Sequence, residues 1–163
     1  AELHLRDPKN LDFRPRANSA IIDAGTILTN TEFSELNQSS YLGKAPDIGP
    51  YEFGDENYWI PGFQYPNAST PIPPDRATDV KLDADLMWLN GYKSNIHAVY
   101  FGSDREAVRN ADPESKLYFD KQDNNIFTPP KLESGKTYFW RVDAYNADRI
   151  ESGHVWQFTV SNQ

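Results

Sequence analysis

The most regular pattern in the chain is an alternation of apolar and polar residues in short runs after residue 75. Residues 82–88 read LDADLMW, and residues 137–144 and 155–160 read TYFWRVDA and VWQFTV. A period of two is typical of β-strands with one buried face, and it places Asp83 and Asp85 on the solvent side. Turn-forming residues separate the runs roughly every 8–12 residues, which is the spacing of strands in small all-β domains.

The same pattern assigns side chains to faces of the predicted sheets. In the segment 132–144, Tyr138 and Trp140 fall on one face, which we expect to be the inner one, and Phe139 and Arg141 fall on the other. Residues 104–110 predict a single helical turn. The second part of the chain is therefore predicted to be an all-β sandwich of roughly six or seven short strands.

The first 64 residues lack this regularity. Their apolar residues occur in short stretches separated by polar turns, so they do not predict an independent core. Residues 65–75 then contain four prolines, which favours an extended, semi-rigid segment. We therefore divide the chain into residues 1–64, a Pro-rich linker at 65–75 and a sandwich at 76–163.

Several motifs of the second part resemble a known module. DADLMWLNG, HAVYFGSD, LESGKTYFWRVDAYNAD and HVWQFTV are spaced over residues 74–160 and are similar to fibronectin type III-like modules of secreted bacterial carbohydrate-active enzymes. The resemblance implies an immunoglobulin-like β-sandwich. In it, Trp88 would be the buried tryptophan of the second strand, and Leu132 with Tyr138 would form the tyrosine corner. The expected structural core contains Trp88, Leu132, Tyr138, Trp140 and Trp156.

The first part carries a different resemblance. LDFRPRANSAIIDAGT, GKAPDIGPYEFG and YWIPG are similar to the last turns of a right-handed parallel β-helix in polysaccharide lyases and related glycosidases. Pro50 and the pair Ala20-Ile21 depart from the usual pattern. The resemblance implies that residues 1–64 are terminal coils of a parallel β-helix. Because a solenoid needs roughly three coils for stability, we expect the chain to be the C-terminal part of a longer enzyme.

Composition narrows the classes of partner. The 163 residues carry a net charge of −8 and contain no cysteine, which excludes disulfides and thiolate metal sites. No basic stripe is present, so we expect no nucleic-acid partner. No apolar run approaches the ~20 residues that span a bilayer, so we expect a soluble chain with no membrane partner. The acidic balance argues mildly against a heavily sulfated or uronic polysaccharide being held by this region.

Catalytic and metal-binding candidates are weak. The three histidines are scattered and lack the close spacing of a zinc site. Asp23 and Asp47 belong to the β-helix-like motif, where turn capping is the expected role. Asp120 and Asp123 offer hard oxygen ligands in one loop, and calcium is the candidate ion. The loop lacks the spacing and the glycine of an EF-hand. We predict no catalytic residue and no cofactor in this chain.

Outward aromatic residues are the better candidates for a binding function. Sugar-binding sites present exposed rings that stack on pyranose faces, beside polar groups that bond hydroxyls. The candidate carbohydrate-binding residues are Phe139, Arg141, Tyr145, Tyr100 and Tyr92. The alternative is that Phe139 packs against neighbouring parts of the chain, including the cluster Asn57–Phe63, which has the composition of an interdomain contact.

Together these features predict a non-catalytic C-terminal accessory region of a secreted, extracellular bacterial enzyme that degrades polysaccharide. Its partners would be the catalytic β-helix of the parent enzyme, which it would cap, and the polysaccharide itself. The parent is expected to be a polysaccharide lyase or a glycoside hydrolase. Two alternatives stay open: an independent carbohydrate-binding module, and the C-terminal piece of a nicked lyase or hydrolase.

Overall fold

The computed structural model describes residues 4–27, 41–147 and 149–162. The chain divides into two compact units, Ala1–Asp55 and Glu56–Gln163. Most of the regular secondary structure of the described residues is β-strand, and the one α-helix among them spans six residues, so the all-β class is confirmed. That helix is too short to cross a membrane, and the described residues contain no other candidate for a membrane-spanning helix.

The N-terminal unit begins with a short antiparallel ladder. Strands β1 (Leu5–Asp7) and β2 (Asp12–Pro15) are joined by a 3₁₀ turn at Pro8–Asn10. Proline suits the first position of this turn because a backbone N–H there would have no partner within the helix. Leu11 closes the turn in the left-handed region, at φ 68°. The assignment of residues 1–64 to terminal β-helix coils stays a prediction.

The C-terminal unit contains two sheets. The smaller has the strand order β3-β5-β8, and the larger has the order β4-β11-β9-β6-β7, with β10 paired to β9. The smaller sheet consists of β3 (Ser69–Ile72), β5 (Leu86–Leu89) and β8 (Ile126–Phe127); the larger consists of β4 (Ala77–Val80), β6 (Ile96–Gly102), β7 (Tyr118–Gln122), β9 (Thr137–Tyr145), β10 (Ile150–Glu151) and β11 (Trp156–Val160). All pairs are antiparallel except β4 with β11.

Both sheets contribute to one hydrophobic core. The alternating positions of β9 and β11 face this core, and the ring centroids of Trp140 and Trp156 lie 4.7 Å apart. All five residues of the expected structural core are buried in it: Trp88, Leu132, Tyr138, Trp140 and Trp156. The hydroxyl oxygen of Tyr138 accepts a hydrogen bond from the Glu133 backbone N–H at 3.0 Å, which is the bond that a tyrosine corner makes.

His97 is an unusual member of this interior. It is 0% exposed, and its ring lies 5.7 Å from that of Trp88, edge to face. Neither ring nitrogen has a hydrogen-bond partner among the described residues. Burial lowers the pKa of His97 from 6.5 to about 4, so the ring is neutral near pH 7.

The structure departs from the predicted alternation of buried and exposed residues in the segment 82–88. Asp85 is buried, not solvated, and its Oδ1 accepts a hydrogen bond from the Thr128 hydroxyl at 2.7 Å. Met87 is also fully buried, on the strand face opposite to Trp88, whereas Leu82 is 49% exposed. Both faces of β5 are therefore covered, and a strand covered on both faces does not show a simple alternation of burial.

The Pro-rich stretch is also different from the linker we expected. Residues 69–72 form β3, which pairs with β5, and Ala68 and Ile72 are buried in the C-terminal unit. Pro71 is compatible with this because β3 is an edge strand, where a missing N–H donor is tolerated. The segment before it is anchored too, since Asn125 exchanges hydrogen bonds with the backbone of Tyr58 at 2.8 and 2.7 Å.

Candidate functional site

A helix packs on the outer face of the larger sheet, so three of the aromatic residues predicted to lie there, Tyr100, Phe139 and Tyr145, are buried or half-buried. Helix α1 spans Arg105–Asn110, and Asp104 is its N-cap residue. The Asp104 carboxylate accepts a hydrogen bond from the Ala107 N–H at 2.8 Å. Val108 of the helix packs on Ala98 and Tyr100 of β6 in a second, smaller cluster. Half-buried residues surround this cluster: Ala111, Leu117, Tyr118, Phe139, Tyr145 and Val155.

Arg141 holds this helix on the sheet. Its guanidinium donates to the carbonyl oxygens of Val108 and Ala111, both at 2.8 Å, where the helix ends and its carbonyls lack partners. The same group donates to both carboxylate oxygens of Asp143, at 2.9 and 3.1 Å, and lies 4.0 Å from the centroid of the Tyr100 ring. Arg141 therefore neutralises Asp143 and caps the helix at once.

The sequence interpretation of Tyr100 and Arg141 as surface groups is consequently wrong. They are 2% and 5% exposed. Burial and the neighbouring Asp143 carboxylate raise the pKa of Tyr100, so its hydroxyl stays protonated. Nothing in the alternation along β9 indicated the helix above it, because a helix that covers a sheet changes exposure without changing which way a strand residue points.

Phe139 and Tyr145 are half-buried beside the same helix cluster. The Arg105 guanidinium carbon lies 6.0 Å from the centroid of Phe139, and the Lys121 ammonium lies 4.1 Å from that of Tyr145. Both rings thus have a cation over them. Burial raises the pKa of Tyr145 above its ordinary value, with a smaller contribution from the Asp143 carboxylate. These rings present less surface to a ligand than the sequence suggested.

Tyr92 is the one of the five candidates that lies in the open. It is 54% exposed and lines a pocket of about 380 Å³ at one end of the C-terminal unit. The pocket lies between the loop that joins β5 to β6 and the loop that joins β9 to β10. Its lining is Pro66, Tyr92, Lys93, Asn146, Ala147 and Arg149. An aromatic ring, an amide and two cationic side chains therefore converge on one depression.

The loop that carries Tyr92 is held in place by close contacts. The Tyr92 N–H donates to the Tyr65 carbonyl at 2.7 Å, and the Ser94 hydroxyl donates to the Tyr145 carbonyl at 2.7 Å. At Gly91, a Cβ would lie 2.5 Å from the Pro66 carbonyl oxygen, so only glycine permits this approach. The backbone of the pocket is therefore fixed from two sides.

The opposite wall is a tight turn. The Asn146 N–H donates to the Arg149 carbonyl at 3.1 Å, and the Arg149 N–H donates to the Asn146 side-chain oxygen at 3.0 Å. These two bonds close the connection between β9 and β10 and set Asn146 and Arg149 at the rim. Asp148, within this turn, lies outside the described residues.

Further aromatic side chains are exposed in the segment before β3. Trp59, Phe63 and Tyr65 are 65%, 76% and 54% exposed, and the rings of Phe63 and Tyr65 meet edge to face at 5.2 Å. Tyr65 adjoins Tyr92 through the backbone hydrogen bond already described. The sequence interpretation grouped Trp59 and Phe63 with an interdomain contact and did not name Tyr65. Their exposure could not be read from composition alone.

Asp23 and Asp47, the two aspartates of the β-helix-like motif, accept hydrogen bonds from backbone N–H groups of the N-terminal unit. Asp23 Oδ1 accepts from the Lys44 and Ala45 N–H groups at 2.6 and 3.2 Å. Asp47 accepts from the Asp23 and Phe53 N–H groups at 2.8 and 2.6 Å. These bonds draw the two halves of the β-helix-like motif together, as does the bond from the Ile48 N–H to the Ile21 carbonyl at 2.9 Å. Both carboxylates therefore join separate chain segments, whereas the turn capping expected from the sequence would bind an N–H about two residues further along the chain.

The candidate calcium loop shows no gathering of ligands. Asp120 Oδ1 accepts hydrogen bonds from the backbone N–H of Lys121 at 2.7 Å and from the Tyr118 hydroxyl at 3.3 Å. Within the part of the chain that the structure describes, no three side chains of His, Cys, Asp or Glu come close enough to hold a metal ion. Asp120 and Asp123 are thus not joined by a third such ligand.

Comparisons with known proteins add little to this geometry. No family model and no curated protein matches the chain. Among solved structures, one that it resembles is an α-L-rhamnosidase from Dictyoglumus thermophilum, at 17% identity and a TM-score of 0.43. The match covers 61% of this chain and 13% of the rhamnosidase, so the chain spans a small fraction of that protein's length. A likeness at this level carries no argument about function.

Proposed function

We propose that this chain is a non-catalytic accessory region of a secreted bacterial enzyme that degrades polysaccharide, and that its C-terminal unit contacts carbohydrate through the pocket at Tyr92. The observation that carries the proposal is the convergence of an exposed tyrosine, an amide and two cations between two fixed loops. A fixed aromatic platform with polar neighbours suits a sugar ring, which has an apolar face and equatorial hydroxyls.

The strand order supports the finer assignment of the C-terminal unit to a fibronectin type III-like sandwich. Its first strand is divided: β3 pairs with β5 in the smaller sheet, and β4 pairs with β11 in the larger. The strands in between follow the arrangement of immunoglobulin-like folds, with β5 and β8 on one side and β6, β9 and β11 on the other. In such folds, the connecting loops at one end form binding surfaces, and the Tyr92 pocket lies between two of these loops.

The non-catalytic part of the proposal is supported by what the acidic side chains do. Glycosidases use two carboxylates that face the substrate across a cleft. Here Asp23 and Asp47 bind backbone N–H groups, and Asp143 is paired with Arg141 in a buried site. Asp143, which belongs to the same unit as the pocket, is not among the residues that line it. We propose that catalysis belongs to a β-helix of the parent enzyme, whose last coils resemble residues 1–64 and which this chain would cap.

Affinity electrophoresis of the whole chain tests the binding function. Native gels that contain neutral, carboxylated or sulfated polysaccharides should retard the wild-type protein on at least one polymer, and Tyr92→Ala should restore its mobility. Phe53→Ala removes another exposed ring, from the N-terminal unit, and serves as the matched control. Unchanged mobility of the wild-type protein on every polymer would overturn the proposal, as would retardation that survives in Tyr92→Ala.

A further inference from the structure

The pocket at Tyr92 differs in charge from the chain as a whole. Lys93 and Arg149 both line it, although the chain has a net charge of −8. Arg149 is ion-paired with Glu151, so its charge is largely offset. Lys93 has no carboxylate within ion-pair distance among the described residues, and its ammonium nitrogen lies 5.4 Å from the centroid of the Tyr92 ring. Among the described residues that line the pocket, Lys93 is therefore the cation without a paired carboxylate.

The backbone keeps this lysine in position. Lys93 adopts a left-handed conformation, at φ 57°, in a turn that the hydrogen bond from the Ser94 N–H to the Gly91 carbonyl closes at 3.0 Å. A lysine has no short polar side chain to stabilise this conformation locally, so the residues around the turn must hold it there. The ammonium group and the Tyr92 ring consequently rise from the same short, constrained loop.

The net charge of the chain does not decide what this site attracts. Screening reduces interactions beyond about 8 Å at physiological ionic strength, so a ligand in the pocket responds chiefly to the groups that line it. The expectation from composition, that this region disfavours uronic or sulfated polysaccharide, averaged the charge over both units and is thus a poor guide to this pocket.

We infer that the pocket takes an anionic sugar, with the carboxylate or sulfate group at the Lys93 ammonium and the sugar ring on Tyr92. The inference rests on the proposed carbohydrate-binding function and names the ligand class for the same site. Lysine suits both anions because its ammonium acts as a compact charge without a fixed bidentate geometry. Both anions present oxygen acceptors on a ring that otherwise offers an apolar face and hydroxyls.

Isothermal titration calorimetry of the whole chain with three trisaccharide probes tests this inference: trigalacturonate for the carboxylate, a sulfated galactan trisaccharide for the sulfate, and galactotriose as the neutral ring. We expect at least one anionic probe to bind roughly five-fold or more tightly than galactotriose, which is the size of one partly exposed charge interaction. Its affinity should fall as NaCl is raised from 20 to 500 mM.

Variants separate the charge from the fold. Lys93→Gln should remove the preference for the anionic probe, and Lys93→Arg should keep most of it. Lys116→Gln, which removes an exposed lysine near the opposite end of β6, is the matched control. Equal affinity for galactotriose and the anionic probes, with both lost in Tyr92→Ala, would overturn the anionic class and leave the proposed function standing. Binding of none of the three probes would overturn the inference. If mobility in affinity gels were also unchanged on every polymer, the proposed function would fall with it.

Discussion

The buried His97 ring should make the stability of the C-terminal unit depend on pH. The folded pKa of about 4 lies below the unfolded value of 6.5, so the unfolded chain binds more protons between these limits. Stability is therefore full above pH 6.5 and is lost as the pH falls toward 4. The cause is structural, since the ring is 0% exposed and has no hydrogen-bond partner among the described residues to stabilise a charge.

The size of the effect follows from the two pKa values. The full difference corresponds to about 3 kcal/mol of unfolding free energy, reached once the pH is below the folded pKa. Between pH 7 and pH 5 the same relation gives a loss of about 2 kcal/mol. Because domains of this size are commonly stable by roughly 5–15 kcal/mol, the loss is a measurable share of the total.

Urea denaturation of wild type and His97→Leu, at pH 7 and pH 5, measures this loss. All four tryptophans lie after residue 55, so their fluorescence reports the C-terminal unit. Carboxylates titrate in both proteins, and the difference between them isolates His97. We expect the wild-type protein to lose about 2 kcal/mol more than the variant. His154→Gln, which removes an exposed ring, is the matched control. Equal losses in wild type and His97→Leu would show that the reasoning is wrong.

Two further substitutions test the core and the helix cluster. Tyr138→Phe removes the acceptor of the Glu133 N–H and should lower the unfolding free energy by about 1 kcal/mol in urea denaturation; no change would mean that the corner bond contributes nothing. Arg141→Met leaves Asp143 buried without its cation and should cost about 3 kcal/mol or more. Arg109→Met, which breaks an exposed ion pair of the same helix, should cost less than about 0.5 kcal/mol, and equal losses in the two arginine variants would refute the capping role of Arg141.

The sequence predicted the inner face of the larger sheet well, because every second residue of its strands faces the same hydrophobic core. Tyr138 and Trp140 of β9 and Trp156 of β11 are all buried on the side that the period of two assigned. The pattern failed around β5, where Met87 of the strand and Asp85 just before it are buried too. Burial there depends on chain segments distant in sequence, which a local pattern does not contain.

The candidate site was harder to predict for the same reason. Tyr92 was among the five named residues, but Tyr100 and Arg141 were named beside it and are buried beneath α1. A short helix capped from the sheet depends on one buried arginine, and the sequence gives no sign of that partnership. Nothing in the sequence around Asn146 and Arg149 indicates a binding site. Their turn forms a pocket wall only because the fold brings another loop close to it.

The divided first strand has a mechanical consequence. β4 runs parallel to β11, with Phe158 opposite Ala77 and Val160 opposite Val80, and the hydrogen bonds from Arg76 to Gln157 and from Ser161 to Val80 extend the pair at both ends. Tension applied at the start of β4 and the end of β11 would slide these strands along each other. Their hydrogen bonds would then bear the load together instead of opening one after another.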